Sequence, residues 1–283
     1  MSNRFTRSWD LVKASGSVLQ QDRQLLMFPL ISSISVVLVV LCFALPMFGL
    51  SALDGLSNRE YKGSVYLLAF LFYVAQYTVI FFFNAALVGA AMIRLDGGSP
   101  TLGDGLRIAS SKFGAILGYA VIAATVGMIL RAIQERVGFI GKLIVGFLGA
   151  GWALATYLVV PTLVATDVGP LQAVKDSTSL LKRTWGESII VQGGLGFAFF
   201  LIYVLVIVSG VALMIGASAI THGPALTIIV GVLLVLALMF TALVHSTLSG
   251  IYAAALYRYA TRGESTTGFD PTLLASAFAP GKA

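Results

Sequence analysis

The sequence predicts an all-α, polytopic membrane protein of about six transmembrane helices, and three observations carry that prediction. Only 11% of the residues are charged, against about 25% in a soluble domain. Hydrophobic residues make up 58% of the chain, and the mean hydropathy is +0.94. The apolar residues also fall into long blocks, several exceeding the roughly 20 residues that cross a bilayer as helix. A water-facing helix of that length would need a polar face.

The blocks are Leu25–Leu53, Val65–Ile93, Phe113–Leu130, Leu143–Thr166, Ser188–Ala217 and Ala225–Tyr257. The first is far longer than a secretory apolar region of about 7–15 residues, so it reads as a retained helix, interrupted by Pro29 and Pro46. Gly114 and Gly118 in the third block, and Gly146 and Ala150 in the fourth, have the small-xxx-small spacing that lets helix backbones approach in lipid. Gly193, Gly194 and Gly196 in the fifth read as close packing for the same reason. Pro161 is expected to kink the fourth helix and free a carbonyl near Tyr157.

Orientation follows from Lys and Arg. Thirteen of the 18 flank the blocks on the side of the two termini, from Arg4 to Lys282, and five lie on the opposite side. The positive-inside rule then puts both termini in the cytoplasm and the protein in the cytoplasmic membrane. The same asymmetry accounts for the net charge of +6 and the pI near 9.5. No basic cluster with interleaved aromatics is present, so no nucleic-acid partner is expected.

Three cytoplasmic stretches carry apolar residues at helical spacing. They are Phe5, Trp9, Val12, Gly16 and Leu19; Leu102, Leu106, Ala109, Phe113 and Ile116; and Leu171, Val174, Thr178, Leu181 and Trp185. With Arg7, Lys13, Arg107, Lys175, Lys182 and Arg183 on the other faces, they predict three amphipathic interfacial helices lying flat against anionic lipid headgroups. Each cation there is worth about 1 kcal/mol of attraction. Ser99-Pro100 and Gly169-Pro170 place proline at the first helical position of two of them. In the third, Lys182, Arg183, Trp185 and Glu187 form an interfacial anchor: the indole suits the headgroup level, the cations suit phosphate, and Glu187 suits a helix start.

An interfacial helix, a helix out and a helix back recur three times. Residues 1–263 thus form one transmembrane domain with repeat units of about 2–97, 98–169 and 170–263, closed by Gly97, Gly169 and Gly263. Such units share one orientation and are related by an axis along the membrane normal. The cytoplasmic tail, 264–283, repeats Pro100-Thr101-Leu102 as Pro271-Thr272-Leu273, which predicts a further short interfacial helix.

Four segments stand out together: Phe83-Asn84-Ala85-Ala86-Leu87, Gly98 to Leu106, Arg131 to Gly141, and Lys182-Arg183-Thr184-Trp185-Gly186-Glu187. On these segments, and over most of its length, the chain resembles a prokaryotic integral-membrane family known only as a domain of unknown function. That family brings no established activity, so the resemblance implies no catalytic residue. A further likeness, to six-helix bacterial membrane families with interfacial helices before helix pairs, is architectural.

Chemistry-bearing motifs are absent: no HExxH, no GxSxG and no phosphate-binding loop. His222 and His245 have no metal partners nearby in sequence, and Cys42 reads as a small packing residue. Neither a cofactor nor a metal is expected, nor enzymatic activity. The one constellation of interest is polar and intramembrane. If the repeat holds, Asn84, Thr156 and His245 on the three returning helices converge near one depth, as a polar constriction or as separate interhelical hydrogen bonds. The leading expectation is a non-enzymatic protein that organises lipid or binds a membrane-protein partner or a second copy. The alternative is a transporter or channel for a small solute. A lipid-modifying enzyme would need Asp104, Asp167 and Glu187 to cluster.

Overall fold

The computed structural model describes residues 4–53, 61–185, 194–220 and 224–262, and no strand occurs among them. The helices are α1 (Arg4–Gln21), α2 (Met27–Leu53), α3 (Tyr61–Leu95), α4 (Leu102–Ser111), α5 (Phe113–Arg136), α6 (Phe139–Ala155), α7 (Val159–Ala165), α8 (Pro170–Trp185), α9 (Gly194–Ile220) and α10 (Pro224–Arg262), with a 3-10 turn over Arg23–Leu26. Six stretches are long and apolar enough to cross a membrane: Arg23–Pro46, Val65–Leu95, Phe113–Arg136, Phe139–Ala165, Ala198–Ala219 and Pro224–Thr261. The chain is therefore a multi-pass membrane protein by length and composition. The tail helix expected after residue 263 lies outside the described residues.

The helices α3, α7 and α10 meet in the middle. Their contact surfaces are built from small residues, with Ala85, Ala86, Ala90 and Ala91 on α3 and Ala253, Ala254 and Ala255 on α10, all buried. In lipid there is no water to drive helices together, so close backbone approach is what packing rewards. A Cβ on Gly250 would stand 2.5 Å from Leu87 Cδ2, and one on Gly105 would stand 2.6 Å from the Ala86 carbonyl oxygen. Both glycines permit close approach. Gly114, Gly146 and Gly196 face open space instead, which corrects the packing role expected of them. Gly118 does pack, against Pro170.

Around this centre, α2 and α5 pack on α3, and α9 packs on α10. The short helices dock on the spans: α4 packs on α3, α8 on α7, and α1 on α9 and α10. Among the described side chains, each short helix thus buries part of one face. In α8 the buried row is Ala173, Ser177 and Leu181, while Leu171 is exposed. In α1 the buried row is Ala14, Ser15 and Val18; the expected row of Val12, Gly16 and Leu19 is only half-buried.

The end of the bundle carrying these three helices, the short-helix end, is held by ion pairs. Arg94 at the end of α3 stands 3.5 Å from Asp22, an ion pair without a hydrogen bond, and donates to Gln21 Oε1 at 2.6 Å and the Gly98 carbonyl at 3.1 Å. Lys112 pairs with Asp167 and donates to the Thr166 carbonyl at 2.8 Å. Arg258 pairs with Asp96. The turn after α3 closes through Gly97, whose φ of 86° is the left-handed conformation that glycine adopts without penalty. Pro170 is the first residue of α8, as expected. Pro100 is not the first residue of α4. The N-cap there is Thr101, which accepts from the Asp104 amide at 3.2 Å while the Asp104 carboxylate accepts from the Thr101 amide at 3.0 Å. This is a capping box, and it satisfies two otherwise orphaned donors.

The buried residues gather toward the short-helix end. On α10, Thr247–Leu248 and Gly250–Tyr257 are buried, whereas Ile228, Val232, Leu236 and Phe240 are each more than half exposed. On α6, Phe139 and Phe147 are 80% and 73% exposed. Away from the short helices the outward apolar faces of the spans are exposed, as faces toward bilayer lipid would be.

Candidate functional site

The face of α3 that carries Asn84 also presents Ile80, Phe83, Leu87 and Val88, spaced three and four apart. Opposite it, α10 presents Ser246, Ser249, Gly250 and Ala253 at the same spacing. Pro29 and Ser32 of α2 and Tyr157 and Pro161 of the fourth span complete a cavity of about 230 Å³. Asn84 lies ten residues before Arg94, which is about 15 Å along a helix and half of a hydrocarbon core of about 30 Å.

The polar groups in this cavity share a property. Ser32, Asn84, Ser246 and Ser249 make no hydrogen bond with any described residue. By contrast Ser33, Thr78, Thr162 and Thr247 each return their hydroxyl to a carbonyl of their own helix at 2.7–2.8 Å. An amide or hydroxyl without a partner in an apolar medium costs about 2–7 kcal/mol. Four such groups facing one space offer donors and acceptors with no net charge. That set suits an uncharged, hydrogen-bonding occupant.

The fourth span is broken beside the cavity. Helix α6 stops at Ala155 and α7 starts at Val159. Within the gap, Thr156 is buried and gives its hydroxyl to the Trp152 carbonyl at 2.8 Å. Ser177 of α8 donates to the Ala155 carbonyl at 2.7 Å and accepts from the Leu158 amide at 3.1 Å. A short helix from the bundle end thus satisfies the backbone that the break exposes, as buried backbone requires.

Of the three residues expected to converge, Asn84 lines the cavity and the other two do not. Thr156 sits in the break with its hydroxyl turned back into α6. His245 faces α9, its ring stacked on Phe199 at 4.2 Å between centroids and edge-on to Tyr203 at 5.9 Å. Its neighbour Ser246, one helical step around α10, is the residue that reaches the cavity. Ser32, Ser246 and Ser249 were not singled out from sequence, whereas Tyr157 and Pro161 were, as the expected kink of the fourth helix. The readable signal was the serine and glycine spacing 246, 249, 250 on one helix face.

Among the anchor residues, Lys182 is exposed on α8. The backbones of Arg183 and Trp185 belong to that helix, their side chains lie outside the described set, and Glu187 lies outside the described residues. Asp104 and Asp167 are engaged separately. The Thr101 hydroxyl and amide, with Arg107 at 3.9 Å, hold the Asp104 carboxyl below the usual aspartate range. Lys112 does the same for Asp167. Among the described residues no three of His, Cys, Asp and Glu come together.

Compared with known proteins, residues 63–269 match the model of a family of unknown function (DUF6159). No curated protein matches the chain.

Proposed function

The chain belongs to the family of unknown function DUF6159, and from that premise we propose that it is a non-enzymatic membrane protein that binds a small uncharged solute in the cavity around Asn84, as a transporter or channel would. One observation carries the reading: the break in the fourth span, at Tyr157 and Pro161, faces the same space as the unpartnered Ser32, Asn84, Ser246 and Ser249. Solute sites in transporters lie near the bilayer midplane, between repeats, on discontinuous helices. All three conditions apply if α1–α2–α3, α4–α5–α6/α7 and α8–α9–α10 are three repeat units around an axis along the membrane normal. The docking of α4 on α3, α8 on α7 and α1 on α10 supports that repeat. In this reading the short-helix end, which carries most of the Lys and Arg, faces the cytoplasm, and α1, α4 and α8 lie at that interface of the cytoplasmic membrane.

A second reading, that the protein organises lipid or docks a membrane-protein partner or second copy, is favoured by the exposed apolar faces of α6 and α10 away from the short helices. Flux distinguishes the two. Purified protein is reconstituted into vesicles, and entry of water, urea, glycerol and larger uncharged polyols is followed by light scattering after an osmotic jump. Entry of at least one above protein-free vesicles, lost in Asn84→Leu, is the expected result. Baseline entry across the whole series would overturn the solute reading.

A further inference from the structure

A groove of about 700 Å³ runs between α1 and α10, apart from the Asn84 cavity. Lys13, Gly16 and Gln20 line it on one face of α1, and Arg23 lines it from the turn that follows. Phe240, Val244 and Leu248 line it from α10 at four-residue spacing. We propose that this groove is a binding site for one anionic phospholipid, with its phosphate held by Lys13 and Arg23 and an acyl chain lying along Phe240, Val244 and Leu248.

The charge distribution points to an anion. Arg94, Lys112 and Arg258, also at the short-helix end, each face an aspartate. Lys13 and Arg23 make no ion pair or hydrogen bond with any described residue. Phosphate is the group that two free cations at a membrane surface attract, and Arg and Lys bind it through charge-assisted hydrogen bonds. The wall below the cations points to lipid. Phe240, Val244 and Leu248 lie within a span, so their occupant must be soluble in the bilayer, and Phe240 is 64% exposed. Gly16 keeps the space open, since a Cβ there would meet nothing within 4 Å. The site is independent of the solute cavity and stands or falls separately.

The test uses the full chain purified in detergent and titrated with phosphatidylglycerol or phosphatidylcholine, read by bound lipid in native mass spectrometry and by melting temperature. Wild type is expected to retain phosphatidylglycerol and to be stabilised by it more than by phosphatidylcholine. The double variant Lys13→Gln with Arg23→Gln loses that preference, and Gly16→Leu, which fills the groove and keeps both charges, loses it too. A control with Arg136→Gln and Lys142→Gln, the same charge change at exposed residues of the opposite end of the bundle, keeps it. Equal response of wild type to the two lipids overturns the proposal. So does a preference that survives in both groove variants, which places the lipid elsewhere, or one that falls equally in the charge-matched control, which makes the effect one of overall charge.

Discussion

The hydroxyl of Ser177 accepts the Leu158 amide proton at 3.1 Å while donating to the Ala155 carbonyl at 2.7 Å, so a residue of α8 completes the backbone of the fourth span. Ser177 is fully buried. The break that shapes the cavity wall is therefore tied to a helix that the sequence assigns to the membrane surface.

Replacing Ser177 with Ala removes both bonds and leaves the Leu158 amide without its partner. A buried donor left unsatisfied costs about 1–3 kcal/mol. Thermal unfolding in detergent should show Ser177→Ala melting below wild type, with Ser177→Thr nearer to it. Equal melting of Ser177→Ala and wild type would mean that the break needs no support from α8.

Asn84 has the opposite sign. Its side chain has no hydrogen bond to lose among the described residues, so Asn84→Leu relieves an unpartnered amide in an apolar setting. Melting temperature should hold or rise while solute entry falls. A marked drop in stability would identify Asn84 as a structural residue.

Two glycines separate close packing from open surface. At Gly105 an added Cβ would stand 2.5 Å from Phe28 Cζ and 2.6 Å from the Ala86 carbonyl oxygen, whereas at Gly114 it would meet nothing within 4 Å. Overpacking costs about 1–3 kcal/mol, and glycine to alanine in an open helix gains up to about 1 kcal/mol. Gly105→Ala should thus lower the melting temperature and Gly114→Ala should leave it unchanged or raise it. The reverse order would contradict the docking of α4 on α3.

Acid should loosen the short-helix end. The folded-state pKa of Asp167 is lowered below its ordinary 3.8 by Lys112, and that of Asp104 by Thr101 and then Arg107. Below 3.8 the unfolded chain takes up protons that these carboxylates resist, so their stabilisation is complete above that pH and is lost as pH falls through the lowered values. Both groups are exposed enough for solvent to screen the effect. Melting temperature followed from pH 6 to pH 3 (about the range in which carboxylates titrate) should fall less in Asp167→Asn than in wild type, and parallel curves would show that the Lys112 pair contributes nothing.

The six spans were legible because apolar length is a property of composition, and α1, α4 and α8 were legible because their periodicity is strong. Which face each short helix buries was harder to read. In α1 the protein buries Ala14 and Ser15, which a hydropathy pattern ranks below Val12 and Leu19 but whose small size permits contact. The start of α4 was readable as a capping box in Thr101-Leu102-Gly103-Asp104, and the adjacent Pro100 drew the boundary away from it. The choice between His245 and Ser246 depends on the rotation of α10. The contact of Gly250 with Leu87, 163 residues apart in sequence, helps to set that rotation, and no local pattern encodes it.

The measurement that bears most directly on the account is water access to the Asn84 cavity. In a Cys42→Ala background, single cysteines replace Asn84, Ser246, Ser249 and His245, with the exposed Ser110 on α4 as a control, and native membranes are treated with a membrane-impermeant thiol reagent. Labelling at positions 84, 246 and 249, with position 245 protected, is the predicted result. Reaction at position 110 alone would mean a dry interior and would contradict a solute site between α3 and α10.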